Sequence, residues 1–281
     1  PRLRELSDLL VGFVYQGLAI SELRQSRRAY FTRSILVSPD RGGDWLHAPQ
    51  PQTFKMPLME FIRTCESQEE LACAIQALAW IAEPTEWLGF MSNELDRSSE
   101  SHWVSIIRAL IPHCAGLPEP HQACVLPLLL RTLRREYPDW KKFPGEKKTA
   151  CGTMLWLLGE KRYALAMPTL LAMIPYLCDD HLSDGWLRSA ISSFGNDAIT
   201  PLCSRLDDPS PGVRVFAAAT LGRILTTPAT RFAEEERAII LNRLRQDVAP
   251  RLEELVTGDS NYTVQQSVKR SLEQFERGWN R

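Results

Sequence analysis

Several things are missing from this chain of 281 residues, and each absence closes off a class of function. There is no C-x-x-C pair: the seven cysteines, at 65, 73, 114, 124, 151, 178 and 203, are odd in number and scattered. That argues against a disulfide framework and against a zinc site built on paired thiols. Most lie in apolar runs such as Ala72-Cys73-Ala74 and Ala123-Cys124-Val125, where a thiol packs as a small hydrophobe, as in a reducing compartment. Long apolar runs are absent too. The strongly apolar run Ala123 to Leu130 is eight residues and is broken by Pro127, whereas a bilayer span needs about 20 residues. Charges at Arg2, Arg4, Glu5 and Asp8 leave no apolar stretch for a signal peptide. No sign of charge prevails, since the formal net charge is −1, so no global field draws the chain to nucleic acid or an anionic membrane. The expectation is a soluble, cytoplasmic protein without membrane contact.

Catalytic signatures are equally scarce. G-x-S-x-G, H-E-x-x-H and G-x-G-x-x-G do not occur, and Gly145-Glu146-Lys147-Lys148-Thr149 lacks the glycine before Lys-Thr that a phosphate loop requires. The five histidines (47, 102, 113, 121 and 181) have no cysteine or carboxylate partner at ligand spacing. Asp179, Asp180 and Asp184 around His181 suit the positive end of a helix dipole. No catalytic residue, cofactor or metal ligand is assigned.

What is present is helical periodicity. Apolar residues recur at three and four nearly everywhere, and no alternating run is long enough for a strand. Ser67-Gln68-Glu69-Glu70 is a capping box opening a helix through Leu71, Ile75, Leu78 and Ile81 that stops before Pro84. Further helices are expected at 86–95, 101–111 and 119–136, punctuated by prolines. Residues 38–57 hold four prolines and Gly42-Gly43, which rule out a regular helix there. From 147 onward helices come in pairs: one ending at Gly159 with a return helix over 163–174, then 183–194 with 197–206, then 211–225 with a longer 232–256, and a last helix at 261–276. Gly195-Asn196 is read as a tight turn, Ser210 as an N-cap and Pro211 as a first helical residue.

These helices repeat. Val213 to Gly222 (V-R-V-F-A-A-A-T-L-G) is echoed by Trp186 to Gly195 and more loosely by Ala150 to Gly159, all closing on an apolar residue and then glycine. Such self-similarity marks a stacked-helix array, in which each pair needs its neighbour to cover its apolar face. The stretch D-D-P-S-P-G-V-R-V-F-A-A-A-T-L-G-R-I over 207–224 resembles the consensus of HEAT repeats, especially the short bacterial kind. The resemblance extends through 183–206 and fades before 145. It implies an all-α solenoid of stacked antiparallel helix pairs. The expected organisation is one domain: residues 1–57 form a helical segment and the Pro/Gly-rich loop, continuous with repeats over 58–281 that are clearest in 147–277. In the family an Asp of the inter-repeat turn and an Arg of the next helix form a ladder, positions held here by Asp208 and Arg214. The preceding unit has Arg188 displaced by one. Gly195 and Gly222 are read as sites where a missing Cβ permits a turn or close packing.

The first functional reading is a non-catalytic scaffold or binding module for another protein. Return helices of such arrays line the concave face, which makes Arg205, Arg237, Asn242, Arg243 and Arg245 candidate partner contacts. The second reading is nucleic-acid binding through 131–148. There Arg131, Arg134, Arg135, Lys141, Lys142, Lys147 and Lys148 outnumber Glu136, Asp139 and Glu146, with Trp140 among them to stack or wedge. HEAT-like alkylpurine DNA glycosylases are the model for it, with Asp184 beside Trp186 as the candidate, although the family's motif is not matched residue by residue. A smaller basic group, Arg24, Arg27, Arg28 and Arg33, invites the same reading. A third is a bilin lyase-like, chromophore-handling protein, a group that also uses short HEAT-like repeats. The di-iron deoxyhypusine hydroxylases, built on the same kind of repeat, use His-Glu motifs, and this sequence has no His-Glu dipeptide. Trp80, Trp103, Trp156 and Trp186 fall in apolar helical patterns and are expected in the core, whereas Trp45, Trp140 and Trp279 are expected to be exposed.

Overall fold

A computed structural model describes residues 55–178, 180–226 and 232–279. The Arg24–Arg33 basic group and the loop residues Trp45 and Phe54 lie outside the described residues, as does the side chain of Trp279. Among the described residues the fold is all-α, with helices stacked as the pairs of an α-solenoid. In chain order they are α1 (Lys55–Thr64), α2 (Gln68–Ile81), α3 (Pro84–Arg97), α4 (Glu100–His113), α5 (Glu119–Glu136), α6 (Gly145–Glu160), α7 (Met167–Leu177), α8 (His181–Ser192), α9 (Asn196–Arg205), α10 (Pro211–Thr226), α11 (Glu234–Arg243), α12 (Ala249–Gly258) and α13 (Tyr262–Trp279). The chain divides into two compact units, Pro1–Leu128 and Leu129–Arg281, the division falling within α5.

In the first unit α2 packs on α1, α3 and α4. Ser67 caps α2 by accepting a hydrogen bond from the Glu70 N–H, as the sequence pattern implies. Leu71, Ile75 and Leu78 from α2 are fully buried with Trp87, Met91 and Ile107 from α3 and α4. The Trp87 indole donates to the Ile75 carbonyl at 3.4 Å and meets the buried His121 ring edge-on.

In the second unit the first helices of successive pairs, α6, α8, α10 and α13, form one layer, each packed on the next. The return helices lie behind it, α7 against α8, α9 against α10 and α12 against α13. What lets the first helices approach is a lack of side chain. A Cβ on Gly159 would stand 2.6 Å from the Ala190 Cα, and one on Gly222 would stand 3.0 Å from the Ser271 Cβ. Gly152 likewise accommodates the Trp186 ring. Within this repeated position, only Gly195 is a turn residue: its φ of +56° and ψ of −119° suit glycine alone, and the space above it is filled by Phe232 and Ile240. Gly159 and Gly222 are helical and serve packing instead.

The long return helix expected over 232–256 is interrupted by a π-helical turn at Leu244–Val248, between α11 and α12. Pro250 explains it. With no N–H to give and a ring that crowds the carbonyl four residues back, it does not fit a regular α-helix there, and one wider turn relieves the conflict. The tryptophans also depart from expectation. Trp80 and Trp156 are 53% and 47% exposed rather than core, and Trp140 is fully buried, turned inward by the 3-10 turn Tyr137–Lys142 and set against Phe143. Trp103 is buried as expected.

The layer geometry predicts a contrast between glycines of equal sequence appearance. Gly159→Ala should destabilise the second unit by about 1–3 kcal/mol, because the added methyl meets main chain that has nowhere to go. Gly185→Ala, where the space is open, should be neutral or stabilise by up to about 1 kcal/mol through helix propensity. Urea unfolding of the two variants measures the difference.

Candidate binding groove

Between α8, α10 and α13 the first-helix layer opens into a groove of about 820 Å³. Its floor is a stripe on α10, Val215, Ala219 and Arg223, spaced four apart so that all three share one face. Val215 and Ala219 are small, and the flanking helices rise above them. Arg188, Ser189 and Ser192 form the α8 wall, and Thr263, Gln266, Ser267, Arg270, Ser271 and Gln274 form the α13 wall, with Tyr262 at one end, 72% exposed. The wall of α13 is tied to the floor through main chain. Ser267 donates to the Val215 carbonyl at 3.3 Å and Ser271 to the Ala218 carbonyl at 2.8 Å. These contacts set α13 parallel to α10, with Gly222 facing Gln274.

The groove contains three arginines and no carboxylate among its lining residues. Arg188 pairs with Asp184 one helical turn before it and places its guanidinium 5.3 Å from the Phe216 ring centroid. Its Nε finds no hydrogen-bond acceptor. Burial pulls the Arg188 pKa below its ordinary value, Asp184 opposing and Arg223 adding to the effect. The group remains a cation, because a guanidinium does not deprotonate at physiological pH.

The residues singled out from sequence are placed as follows. Arg214 on α10 forks onto Asp259, in the turn before α13, with its Nε at 2.7 Å and Nη2 at 2.9 Å from the two carboxylate oxygens. Its Nη1 reaches back to the Asp208 carbonyl oxygen at 2.8 Å. Arg214 therefore spans two turns, but it meets Asp208 through main chain. The Asp208 carboxylate accepts from the Ser210 N–H at 3.0 Å and from Arg205 at 3.3 Å. One unit later the pattern recurs with glutamine: Gln265 donates to the Asp259 carbonyl at 2.7 Å while the Asp259 carboxylate accepts from the Asn261 N–H. Two units earlier, Lys148 of α6 reaches Asp180 in the turn before α8 at 2.7 Å.

Of the candidate partner contacts, Arg243 is committed to Asn196 and Thr200 of α9, at 2.9 and 2.7 Å. Arg237 is half-buried, and Asn242 and Arg245 are exposed. In the basic stretch, Arg134 donates to Thr169 at 2.7 Å, Arg135 and Lys147 both pair with Glu136, and Lys142 pairs with Asp139. Lys147 also lies 4.1 Å from the Phe143 ring centroid. Arg131 and Lys141 are exposed. Asp184 is buried beside Arg188. No group of three His, Cys, Asp or Glu side chains stands close enough to hold a metal among the described residues.

The α13 wall was not singled out from sequence. Its signal is a polar stripe, Gln266, Arg270 and Gln274, opposite the apolar Val264, Val268 and Phe275, which are fully buried. Such a stripe looks like an ordinary solvated face until a neighbouring helix is placed beside it.

No protein-family model matches the sequence, and no curated protein does. Among solved structures, a designed armadillo repeat protein aligns at 20% identity, covering 81% of this chain and 100% of its own, with a TM-score of 0.39. A designed armadillo repeat protein in complex with the peptide (KR)4 aligns at 19% identity over the same shares with a TM-score of 0.41. An engineered protein aligns at 14% identity, covering 80% of this chain and 97% of its own, with a TM-score of 0.38.

The Arg214–Asp259 pair predicts a pH signature. The Arg214 hydrogen bonds hold the Asp259 carboxyl below the usual carboxylate range, burial opposing. Its contribution is therefore complete above the unfolded pKa of about 3.9 and is lost as pH falls through the lower folded value. Arg214→Ala, which strands a buried carboxylate, should cost about 3 kcal/mol at neutral pH. In urea unfolding that deficit should hold from about pH 5 upward and shrink below about pH 4. A deficit independent of pH would remove the ion pair from the account.

Proposed function

We propose that this chain is a non-catalytic binding module that holds a segment of another protein in the groove along α10. The observation that carries this reading is the groove's lining: small residues on the floor, arginine, hydroxyl and amide groups on the walls, and no histidine, carboxylate or thiol. A groove so built offers donors and shape but no group titrating near neutral pH, which acid–base chemistry needs. Burial raises the thiols of Cys73, Cys151 and Cys203, away from the thiolate form that a nucleophile requires. The exposed Asn242 and Arg245 and the half-buried Arg237 offer a second contact area on the return helices.

No helix among the described residues is long and apolar enough to cross a membrane. The free state of all seven thiols supports a cytoplasmic setting. Nucleic-acid binding through 131–148 draws little support from the geometry, since Arg134, Arg135, Lys142, Lys147 and Lys148 serve internal contacts and Trp140 is buried.

Selection of a random peptide library on the immobilised chain tests the proposal. Enriched peptides should bind in solution and lose about tenfold in affinity on Arg270→Ala, the size of a typical arginine contact, without a change in unfolding midpoint. Peptides that bind wild type and Arg270→Ala alike would place the contact elsewhere.

A further inference from the structure

We infer that the Arg214–Asp259 fork positions one end of the groove, holding Tyr262, Thr263 and Gln266 where an occupant meets them. The inference rests on the binding-groove reading and concerns what fixes the shape of that site. Neither Arg214 nor Asp259 lines the groove, so the fork acts through other residues. Arg214 lies near the start of α10, and its Nη1 is tied back to the Asp208 and Pro209 carbonyls at 2.8 and 3.1 Å. Its other edge, Nε and Nη2, meets both oxygens of Asp259, whose side chain is 4% exposed. A two-point fork between planar groups has one good geometry, so it fixes orientation as well as distance. A lysine in place of the arginine keeps the charge and gives up that orientation.

From Asp259 the constraint passes into α13 through a series of short bonds. Only Ser260 and Asn261 separate Asp259 from Tyr262, the first residue of α13. The Asn261 N–H donates to the Asp259 carboxylate at 2.8 Å, and the Asn261 side chain accepts from the Thr263 and Val264 N–H groups at 3.0 and 3.3 Å. Gln265 closes the turn by donating to the Asp259 carbonyl at 2.7 Å. The opening turn of α13 therefore moves with Asp259, and Tyr262, Thr263 and Gln266 move with it. Farther along, the wall has a different anchor: Ser271 is buried, bonds the Ala218 carbonyl and packs against Gly222. About 13 Å of helix separates Tyr262 from Ser271, so each end of the wall is held by its own device. Val264 and Val268 press the near end onto the core, but apolar contact is non-directional. Ser267 bonds the Val215 carbonyl at 3.3 Å, and a rotatable hydroxyl does not impose an orientation either. Orientation at the Tyr262 end comes from the fork.

A double-mutant cycle on the full chain tests this, with peptides selected from the random library on the wild-type chain as probes. Arg214→Lys should weaken their binding about fivefold, and Tyr262→Ala should do the same. Together the two should cost little more than either alone, because a misplaced Tyr262 has already lost its contact. Asp259→Asn, which keeps the shape of the side chain, provides a second variant for the same cycle. Leu170→Ala, buried in α7 and absent from the groove lining, should lower the unfolding midpoint and leave affinity intact. Additive losses, unchanged affinity in Arg214→Lys, or an equal loss in Leu170→Ala overturns the inference and leaves the fork a structural brace alone. Peptides that depend on Arg270 but not on Tyr262 also overturn it, while the binding module stands. A library that yields no binder removes the binding reading, and the positioning role with it.

Discussion

The close approach of consecutive first helices is the constraint on which the second unit depends. Gly159 lies against the Ala190 main chain, and Gly222 lies over Ser271 and Gln274, at separations that leave no room for a methyl group. Once helices are that near, hydroxyls on one reach carbonyls of the other, as Ser271 does to Ala218. The same small residues leave α10 recessed between its neighbours, and a recessed helix with taller walls is a groove. Packing and binding surface thus come from one property of the repeat, its shortage of side-chain volume along one stripe.

Electrostatics divides the cations of this unit into two sets. One set braces the stack: Arg214 to Asp259, Lys148 to Asp180 and Arg243 to Asn196 and Thr200. Arg162, at a positive φ of 44°, belongs with it, reaching Glu236 and standing 4.6 Å from the Phe232 ring centroid. In the groove, Arg188 belongs with the paired cations through Asp184, and Arg270 is exposed. Sequence density of charge points the opposite way, toward 131–148, where the cations are most crowded and are largely consumed by local partners.

The helices, the Gly195 turn and the start of α10 at Pro211 were legible in the sequence because each is decided by residues adjacent in the chain. The partner of Arg214 was not, because Asp259 lies 45 residues away and becomes its neighbour only through the stack. Helical periodicity places Trp80 and Trp156 on apolar faces, but does not say whether a neighbour covers that face. Trp140 departs from expectation for the converse reason: its Pro-containing charged stretch has the composition of a solvated loop, yet it winds into a 3-10 turn that sends the indole inward. The π-turn at Leu244–Val248 has its only sequence signal in Pro250, set within a strong helical pattern on either side. The groove is a property of three helices together, and no single one of them announces it.

The most direct test lies at Ala219, half-buried on the groove floor. Replacing it by leucine fills the groove floor without touching an arginine. The measurement is peptide affinity and unfolding midpoint for Ala219→Leu beside wild type. The account predicts that affinity for library-selected peptides falls about tenfold or more while the chain remains folded. Unchanged affinity with the floor filled would contradict it.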